Sequence, residues 1–412
     1  MRDDVRWGVG GPAAGGSDEA QRRRHRRSSQ REVAVSSTPP TPRRRAPLHV
    51  VQLLGGGGVG TGAHVRSLSA GLAARGLAVT VGAAGSAERR YGFASAGARF
   101  VPLPVDASLA AVRLLRLACA DADLVHAHGI RAGLLATLAL RGRSVPLVVT
   151  WHARATAPGP AAQLRPLTER LVARAATVVL GATSDLVQRA RQRGARDARL
   201  APVALPAPRR SAHADRMAEA HRTKLRADLG ALDRPLLVAA TRPTRDPGRD
   251  PGLDLLLNAA RYWRDRLPQP LLALAADGRD RALLRRIERG HLPVRLLAPG
   301  EEPTELLPIA DLALLVARWA GRPPLVDEAL RRGVPLVATA VGGVPEVVGD
   351  AGVLVPYGKP AALGSAVNAL LDDPDRRAAL AVAGPAQARR WPTEDTTVAQ
   401  VLSVYDELTS GR

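Results

Sequence analysis

Short apolar runs recur along the chain at intervals that suit buried strands alternating with amphipathic helices. The first is Leu48-His49-Val50-Val51-Gln52-Leu53-Leu54, followed at once by Gly55-Gly56-Gly57-Gly58-Val59-Gly60-Thr61-Gly62. A helix starting near Ala63 buries Val65, Leu68, Leu72 and Ala73 and ends at Gly76, and 77–81 reads as the next strand. This is a βαβ unit with a glycine-rich first loop, where the backbone can approach a phosphate at a helix N-terminus. Further strands are predicted at 100–103, 124–128, 146–152 and 177–180. The proline-rich run Leu205-Pro206-Ala207-Pro208-Arg209-Arg210-Ser211-Ala212 reads as a linker. A second series of strands follows it, at 235–241, 271–275, 294–297, 312–316, 335–339 and 352–355. The pattern predicts an α/β chain of two Rossmann-like, doubly wound parallel-sheet domains facing a cleft.

Around 319–355 the signal is densest. Leu325, Ala329 and Leu330 recur at helical spacing, and Gly333-Val334-Pro335 stops the helix. Residues 336–339 read as a short buried strand, with Gly342-Gly343 opening a tight turn at its carboxyl end. Ligands of doubly wound sheets bind outside those strand ends, so this turn is a candidate binding element. The segment 394–408 reads as an amphipathic helix with Val398, Val401, Leu402 and Tyr405 in one stripe.

Composition narrows the classes. At 46% apolar content, 412 residues can bury a large core in two or three domains. No apolar run reaches about 18 residues, and the N-terminus lacks an apolar signal region, so the expectation is a cytoplasmic protein. A single cysteine, Cys119, excludes an internal disulfide and a thiolate metal cluster. The net charge of +21 invites a nucleic-acid reading, but the basic residues are arginine apart from Lys224 and Lys359, as a GC-rich coding bias would give. Aromatics at 3% are too few for base-stacking platforms, so nucleic acid is not the expected partner. A nucleotide phosphate or an anionic membrane face accounts for the charge at least as well. Residues 1–46, with Arg22-Arg23-Arg24-His25-Arg26-Arg27 and Arg43-Arg44-Arg45, carry no apolar periodicity and read as a disordered tail.

Individual motifs leave alternatives open. The glycine loop is not the dinucleotide fingerprint, because the second strand closes on Val81-Gly82-Ala83-Ala84-Gly85 without an acid. In Asp123-Leu124-Val125-His126-Ala127-His128-Gly129, strand alternation sends His126 and His128 to one face. They could pack, bind a ligand or form half of a metal site; without a third ligand nearby in sequence, no metal is expected. Thr183-Ser184 suits the N-cap of a helix beginning at Asp185.

Taken together, Glu328, Gly333-Val334-Pro335 and Gly342-Gly343-Val344-Pro345-Glu346 resemble the donor-nucleotide site of family-4-type retaining glycosyltransferases of the GT-B fold. The resemblance spans about 48–410. It implies an acceptor domain at 47–208, a donor-nucleotide domain at 209–388, and a helix at 389–412 that crosses back to the first domain at Trp391-Pro392. It implies that His128 is catalytic, hydrogen-bonding the donor sugar, and that His152, ending Thr150-Trp151-His152, faces the acceptor. Gly58, Gly60 and Gly62 would line the cleft near the transferred sugar. Arg242 and Arg249, with Arg245 in the same loop, would carry the diphosphate, since charge builds on that leaving group. Glu328 would hold the ribose, and the amides of Gly343 and Val344, next to Gly342, would meet phosphate or sugar. Two positions depart from the family pattern: Ala320 stands where the family has its first acid, and Pro251 where it has a phosphate lysine.

The implied activity is hexosyl transfer from a nucleotide-diphosphate sugar, as substrate and with no cofactor, to a hydroxyl of an unknown small molecule or lipid, with peripheral membrane contact. A non-catalytic sugar- or nucleotide-binding relative and a sugar-nucleotide epimerase are the other readings. A pyridoxal-phosphate phosphorylase is disfavoured, because only Lys224 and Lys359 could form a Schiff base.

Overall fold

A computed structural model describes residues 47–56, 59–104, 108–154, 161–204, 219–241, 251–275, 280–298 and 301–410. The tail at 1–46 and the expected linker at 205–212 lie outside them. The first half of the chain runs β1 (His49–Leu54), α1 (Val59–Ala74), β2 (Ala78–Ala83), α2 (Gly85–Tyr91), β3 (Arg99–Pro102), α3 (Leu109–Ala118) and β4 (Leu124–His128). It continues through α4 (Ile130–Ala139), β5 (Leu147–Trp151), α5 (Ala161–Ala175), β6 (Val178–Gly181), α6 (Ser184–Gln192) and β7 (Ala198–Leu200). The second half runs α7 (Glu219–Leu229), β8 (Leu236–Thr241), α8 (Pro251–Ala260), β9 (Leu271–Leu274), α9 (Arg281–Arg289), β10 (Val294–Leu296) and β11 (Leu312–Val316). After these come α10 (Pro324–Arg332), β12 (Leu336–Thr339), α11 (Val344–Val348), β13 (Val353–Val355), α12 (Pro360–Asp372), α13 (Pro374–Ala388) and α14 (Glu394–Thr409).

The strands form a seven-stranded sheet in the order β3-β2-β1-β4-β5-β6-β7 and a six-stranded sheet in the order β10-β9-β8-β11-β12-β13. The pairings are parallel, so each strand must be reached by a crossover and both sheet faces are covered. Alternation along the strands supplies the two faces. Val51, Leu53, Val125, Ala127 and Val149 pack with residues of α3 to α6, whereas Val50, Leu54, Leu124 and Val148 pack with α1 and α14. In the second sheet Leu237, Ala239 and Leu314 pack with α8 and α12, and Leu236, Val238, Ala313 and Leu315 with α10. Burying one such aliphatic side chain contributes about 1.5–3 kcal/mol, which is why near-continuous apolar runs commit to these strands. In both sheets chain order reverses at the centre, between β1 and β4 and between β8 and β11. Those two switch points place the site.

Several boundaries differ from the sequence expectation. α1 starts at Val59, not near Ala63, so Gly60 and Gly62 belong to its first turn rather than to a loop. Gly62 is the residue that fits there, because a Cβ would lie 2.2 Å from Cζ of Tyr91. β7, three residues with an exposed Leu200, carried no apolar run to betray it. The stripe of α14 includes Val404 beside Val398, Val401 and Tyr405, all 5% exposed or less.

α14 lies against α1, on the first domain's side of the molecule. The close approach is made at Gly71, where a Cβ would stand 2.5 Å from Cγ2 of Val398. Gly71→Val should therefore overpack this contact and cost about 1–3 kcal/mol in urea unfolding, with partial recovery when Val398→Ala is added. An unchanged midpoint would mean that α14 does not depend on this approach.

Candidate functional site

Both sheets direct their switch points at a cleft of about 880 Å³. Leu54 pairs with His128 at the carboxyl edge of the first sheet, and Val316 with Thr241 at that of the second. The first domain lines the cleft with Gly60, Thr61, His152 and Thr183 among others; the second contributes Thr241, Trp319, Ala320, Gly343 and Glu346.

Behind the first wall lies a polar layer built by strand periodicity. Gln52, His126 and Thr150 sit two residues after Val50, Leu124 and Val148, on the face covered by α1 and α14. Tyr405 Oη accepts from Gln52 Nε2 at 2.8 Å and lies 2.6 Å from His126 Nδ1. His126 Nε2 is 2.6 Å from Thr150 Oγ1, and His128 Nε2 is 2.7 Å from Gln52 Oε1. His128 Nδ1 is 3.0 Å from His152 Nε2.

The proton positions follow from this pattern. Gln52 donates through Nε2, so its Oε1 accepts, and His128 carries its proton on Nε2. Neutral His128 then accepts at Nδ1, and His152 donates from Nε2. The Tyr405 hydroxyl, already an acceptor, donates to His126 Nδ1. Burial keeps the imidazoles neutral: it lowers His64 to about 4 and, with His64 adding to it, His126 to about 3. His128 and His152 fall well below the ordinary histidine value, by burial first and neighbouring imidazoles second. Burial pushes the Tyr405 phenol up, so it stays a hydroxyl.

The two walls touch at the N-terminus of α6. Ser184 N donates to Glu346 Oε1 at 3.0 Å, and Trp319 Nε1 donates to Asp185 Oδ2 at 2.7 Å. Thr183 occupies the N-cap position but its hydroxyl donates to Asp185 at 2.5 Å instead of capping an amide. Trp319, though it belongs to the second half of the sequence, packs in the first domain's core with Trp151 and Leu186. The glycine turn has no room to spare here. Gly342 has φ +56°, and a Cβ would lie 2.2 Å from the Ala320 carbonyl oxygen; on Gly343 it would lie 2.3 Å from Cγ2 of Thr183.

The structure distributes the expected site residues unevenly. His152, half-buried, lines the cleft, whereas His128 is fully enclosed behind it with both ring nitrogens engaged. Gly60, Ala320 and Gly343 are on the lining. Gly58, Arg242, Arg245 and Arg249 lie outside the described residues, although Thr241, just before the arginines, is on the lining. Glu328 is buried on α10 with its carboxylate held by Arg332 Nε at 2.5 Å, and it is not part of the lining. The expectation for the amides of Gly343 and Val344 needs correction. Gly343 N donates to Ala320 O at 2.9 Å and Val344 N to Val341 O at 3.1 Å, so both close the turn rather than reach into the cleft. Pro251 opens α8, a position where a missing amide proton costs nothing.

Other site residues had no sequence signal. Gln52 and Tyr405 lie 353 residues apart and meet only through the sheet and α14, and His64 of α1 meets His128 and His152 only once the sheet is formed. Arg322 Nε donates to Asp327 Oδ1 at 2.6 Å, and its guanidinium stacks 4.3 Å from the Trp391 ring. Arg390, on the lining, forms no ion pair among the described residues.

Tyr405→Phe tests the buried layer: it strands Gln52 Nε2 and His126 Nδ1 without partners. A loss of about 1–3 kcal/mol in unfolding free energy is expected, the cost of unsatisfied buried polar groups. A neutral substitution would show that the layer is not coupled through the phenol.

Comparison with known proteins agrees with this architecture. Residues 59–206 match the family model described as glycosyl transferase 4-like domain, and 235–373 match glycosyl transferases group 1. The chain is 32% identical over 314 residues to a D-inositol 3-phosphate glycosyltransferase of Xylanimonas cellulosilytica, covering 70% of this chain and 73% of that one. It is 32% identical over 199 residues to a GDP-mannose-dependent alpha-(1-6)-phosphatidylinositol monomannoside mannosyltransferase of Mycolicibacterium smegmatis, spanning 44% of this chain and about half, 51%, of the relative. In structure it is similar to Anabaena HepE solved with UDP, at TM-score 0.69 and 19% identity over 87% of this chain and 100% of that one. It is also similar to sucrose-phosphate synthase of Thermosynechococcus elongatus, at TM-score 0.65 and 18% identity over 88% and 100%. With its two parallel sheets, its cleft between switch points and these matches, the chain belongs to the group 1, family-4-like glycosyl transferases of the GT-B fold.

Proposed function

We propose that this chain is a retaining glycosyltransferase that moves a hexose from a nucleoside diphosphate sugar to a hydroxyl of a small-molecule or lipid acceptor. The observation that carries the reading is the cleft itself, in which the carboxyl edges of both sheets converge on one space of about 880 Å³. The relatives' names support a nucleotide-sugar donor: HepE is solved with UDP and with UDP-glucose, and the Mycolicibacterium enzyme is GDP-mannose-dependent. In this reading residues 47–208 hold the acceptor, 209–388 hold the donor nucleotide, and 389–412 cross back.

Arg242 and Arg249 supply positive charge to the departing diphosphate, from a segment that begins directly after Thr241 at the cleft. His152 meets the sugar, and His128 acts through it, accepting from His152 Nε2 and fixing the ring's orientation. Glu328 reaches the ribose by exchanging Arg332 for the ligand's hydroxyls. Retention places the acceptor oxygen on the face the diphosphate leaves, and no side chain is assigned as nucleophile.

Calorimetry with UDP, GDP and ADP, each beside its hexose conjugate, tests the donor. One sugar nucleotide should bind at micromolar level. Ala320→Glu should tighten it by roughly ten- to a hundredfold, the worth of a charge-assisted hydrogen bond of about 1.5–3 kcal/mol. The anomeric configuration of the product, read by proton NMR, should match that of the donor. Absence of binding by a folded chain would favour a non-catalytic scaffold instead, and an inverted product would remove the retaining assignment.

Peripheral membrane contact completes the reading. Leu164, Leu167 and Leu171 stand 62, 60 and 48% exposed at helical spacing on α5, with Arg170 and Arg174 exposed beside them. Leucine and arginine together suit an anionic bilayer surface. The chain should co-sediment with vesicles containing phosphatidylglycerol and not with pure phosphatidylcholine, and Leu164→Glu with Leu167→Glu should release it. Equal recovery with both lipids, or none, counts against the contact.

A further inference from the structure

Four side chains join the last helix to the wall of the cleft in one line. Tyr405 Oη of α14 accepts from Gln52 Nε2 at 2.8 Å. Gln52 Oε1 lies 2.7 Å from His128 Nε2, and His128 Nδ1 lies 3.0 Å from His152 Nε2. Tyr405, Gln52 and His128 are fully enclosed, and of the four only His152 lines the cleft. We propose that Tyr405 and Gln52 are positioning residues that, through His128, fix His152 in its Nε2–H tautomer, so that it meets the donor sugar as a hydrogen-bond acceptor at Nδ1.

The central link gives the line its direction. An imidazole can carry its proton on either nitrogen and a hydroxyl can turn, so neither holds a donor–acceptor order by itself. A primary amide has one end that only donates and one that only accepts, and it reverses only by turning over. For Gln52 to turn over, the phenol would have to donate to it instead of to His126 Nδ1, 2.6 Å away. His126 would then have to move its proton to Nδ1 from Nε2, which stands 2.6 Å from Thr150 Oγ1. The whole layer would change together, as a buried network of shared donors and acceptors does.

The consequence appears two links away. Gln52 Oε1 takes the proton of His128 Nε2, so His128 Nδ1 is a lone pair and His152 donates to it from Nε2. His152 Nδ1 is then a lone pair as well, and among the described residues it has no hydrogen-bond partner. Burial first, and neighbouring imidazoles second, hold both rings in the neutral form. An unconstrained neutral imidazole could offer the cleft a donor or an acceptor; His152 offers an acceptor. A ligand group that meets it must donate, which a hydroxyl can do and an ether oxygen cannot. That this group is a hydroxyl of the donor sugar rests on the transferase reading, whereas the proton positions do not.

The test is nitrogen NMR of the full-length chain labelled with 15N-histidine, at pH 7, with the His152 resonances identified by their loss in His152→Gln. In the ligand-free parent chain the ring proton of His152 should sit on Nε2, with Nδ1 unprotonated. Gln52→Met removes the acceptor for His128 Nε2–H, and Tyr405→Phe removes the anchor of the amide; each is checked for native circular dichroism. In both, the Nδ1–H form of His152 should appear, a change that lost packing alone would not produce. A proton on Nδ1 in the parent chain, or an unchanged Nε2–H form in both variants, overturns the proposal. Should the variants not fold, the parent spectrum decides. UDP-glucose, GDP-mannose and ADP-glucose are then added to the parent chain in turn, with binding followed by calorimetry. The conjugate that binds should shift His152 Nδ1 while the proton stays on Nε2. A bound conjugate that leaves Nδ1 unmoved refutes the sugar contact with the transferase reading intact, whereas binding of none of the three fails that reading and the contact with it.

Discussion

The structure depends on a row of buried polar side chains that the first sheet cannot satisfy alone. Gln52, His126, His128 and Thr150 sit in a layer otherwise filled by Val50, Leu54, Leu124 and Val148. A buried hydrogen-bonding group without a partner costs about 1–3 kcal/mol, so four in one layer require a donor–acceptor brought from elsewhere. Tyr405 of α14 is that group. The last helix of the chain is therefore a structural part of the first domain. Its valines seal the layer that its phenol completes.

Because α14 belongs to the first domain while α13 belongs to the second, the crossover at Trp391 becomes a fixed joint. Arg322 and Arg331 both stack on Trp391, at 4.3 and 5.2 Å, and both pair with Asp327. Arg322 also reaches the Val203 carbonyl at 3.4 Å, at the end of the first domain. Burial lowers the Arg322 guanidinium's affinity for its proton, and Asp327 opposes that shift. Cation–π contacts that shed solvent are worth up to about 2 kcal/mol each. Charge, ring and carbonyl thus converge where the chain passes between domains. The contact of Trp319 with Asp185 forms a second joint across the cleft. The separation of the two binding walls is set by these joints and by the glycine turn wedged between Ala320 and Thr183.

Within that frame the site divides its labour by burial. The residue that meets the cleft is His152, and the fully enclosed His128 orients it. On the opposite wall Asp327 and Glu328 spend their charge on arginines of their own helix or its flank, so α10 presents side chains of Pro324 and Leu325 to the cleft instead. Gly343 and Val344 likewise use their amides to close a turn.

The sequence by itself determined the two parallel sheets, apart from the edge strand β7, and the position of the glycine turn. These follow from local facts: runs such as Leu336-Val337-Ala338-Thr339 suit strands covered on both faces, and Gly333-Val334-Pro335 stops a helix, Gly333 taking the left-handed φ of +69° that closes it. It also placed His128 and His152 at strand ends, because alternation and run length are local. The resemblance put both at ligands, whereas the structure encloses His128 behind the lining, held by Gln52, whose partner Tyr405 lies 353 residues away. Nor could it find His64, which reads as one polar residue on an apolar helix until the sheet brings two more imidazoles beside it. It set α1 four residues late because glycines read as loop, whereas Gly60 and Gly62 belong to the helix and Gly62 leaves the room that the Tyr91 ring fills. Propensity and periodicity act over a few residues and are written in the sequence. The satisfaction of buried polar groups is a pairing problem between distant segments, and only the tertiary structure solves it.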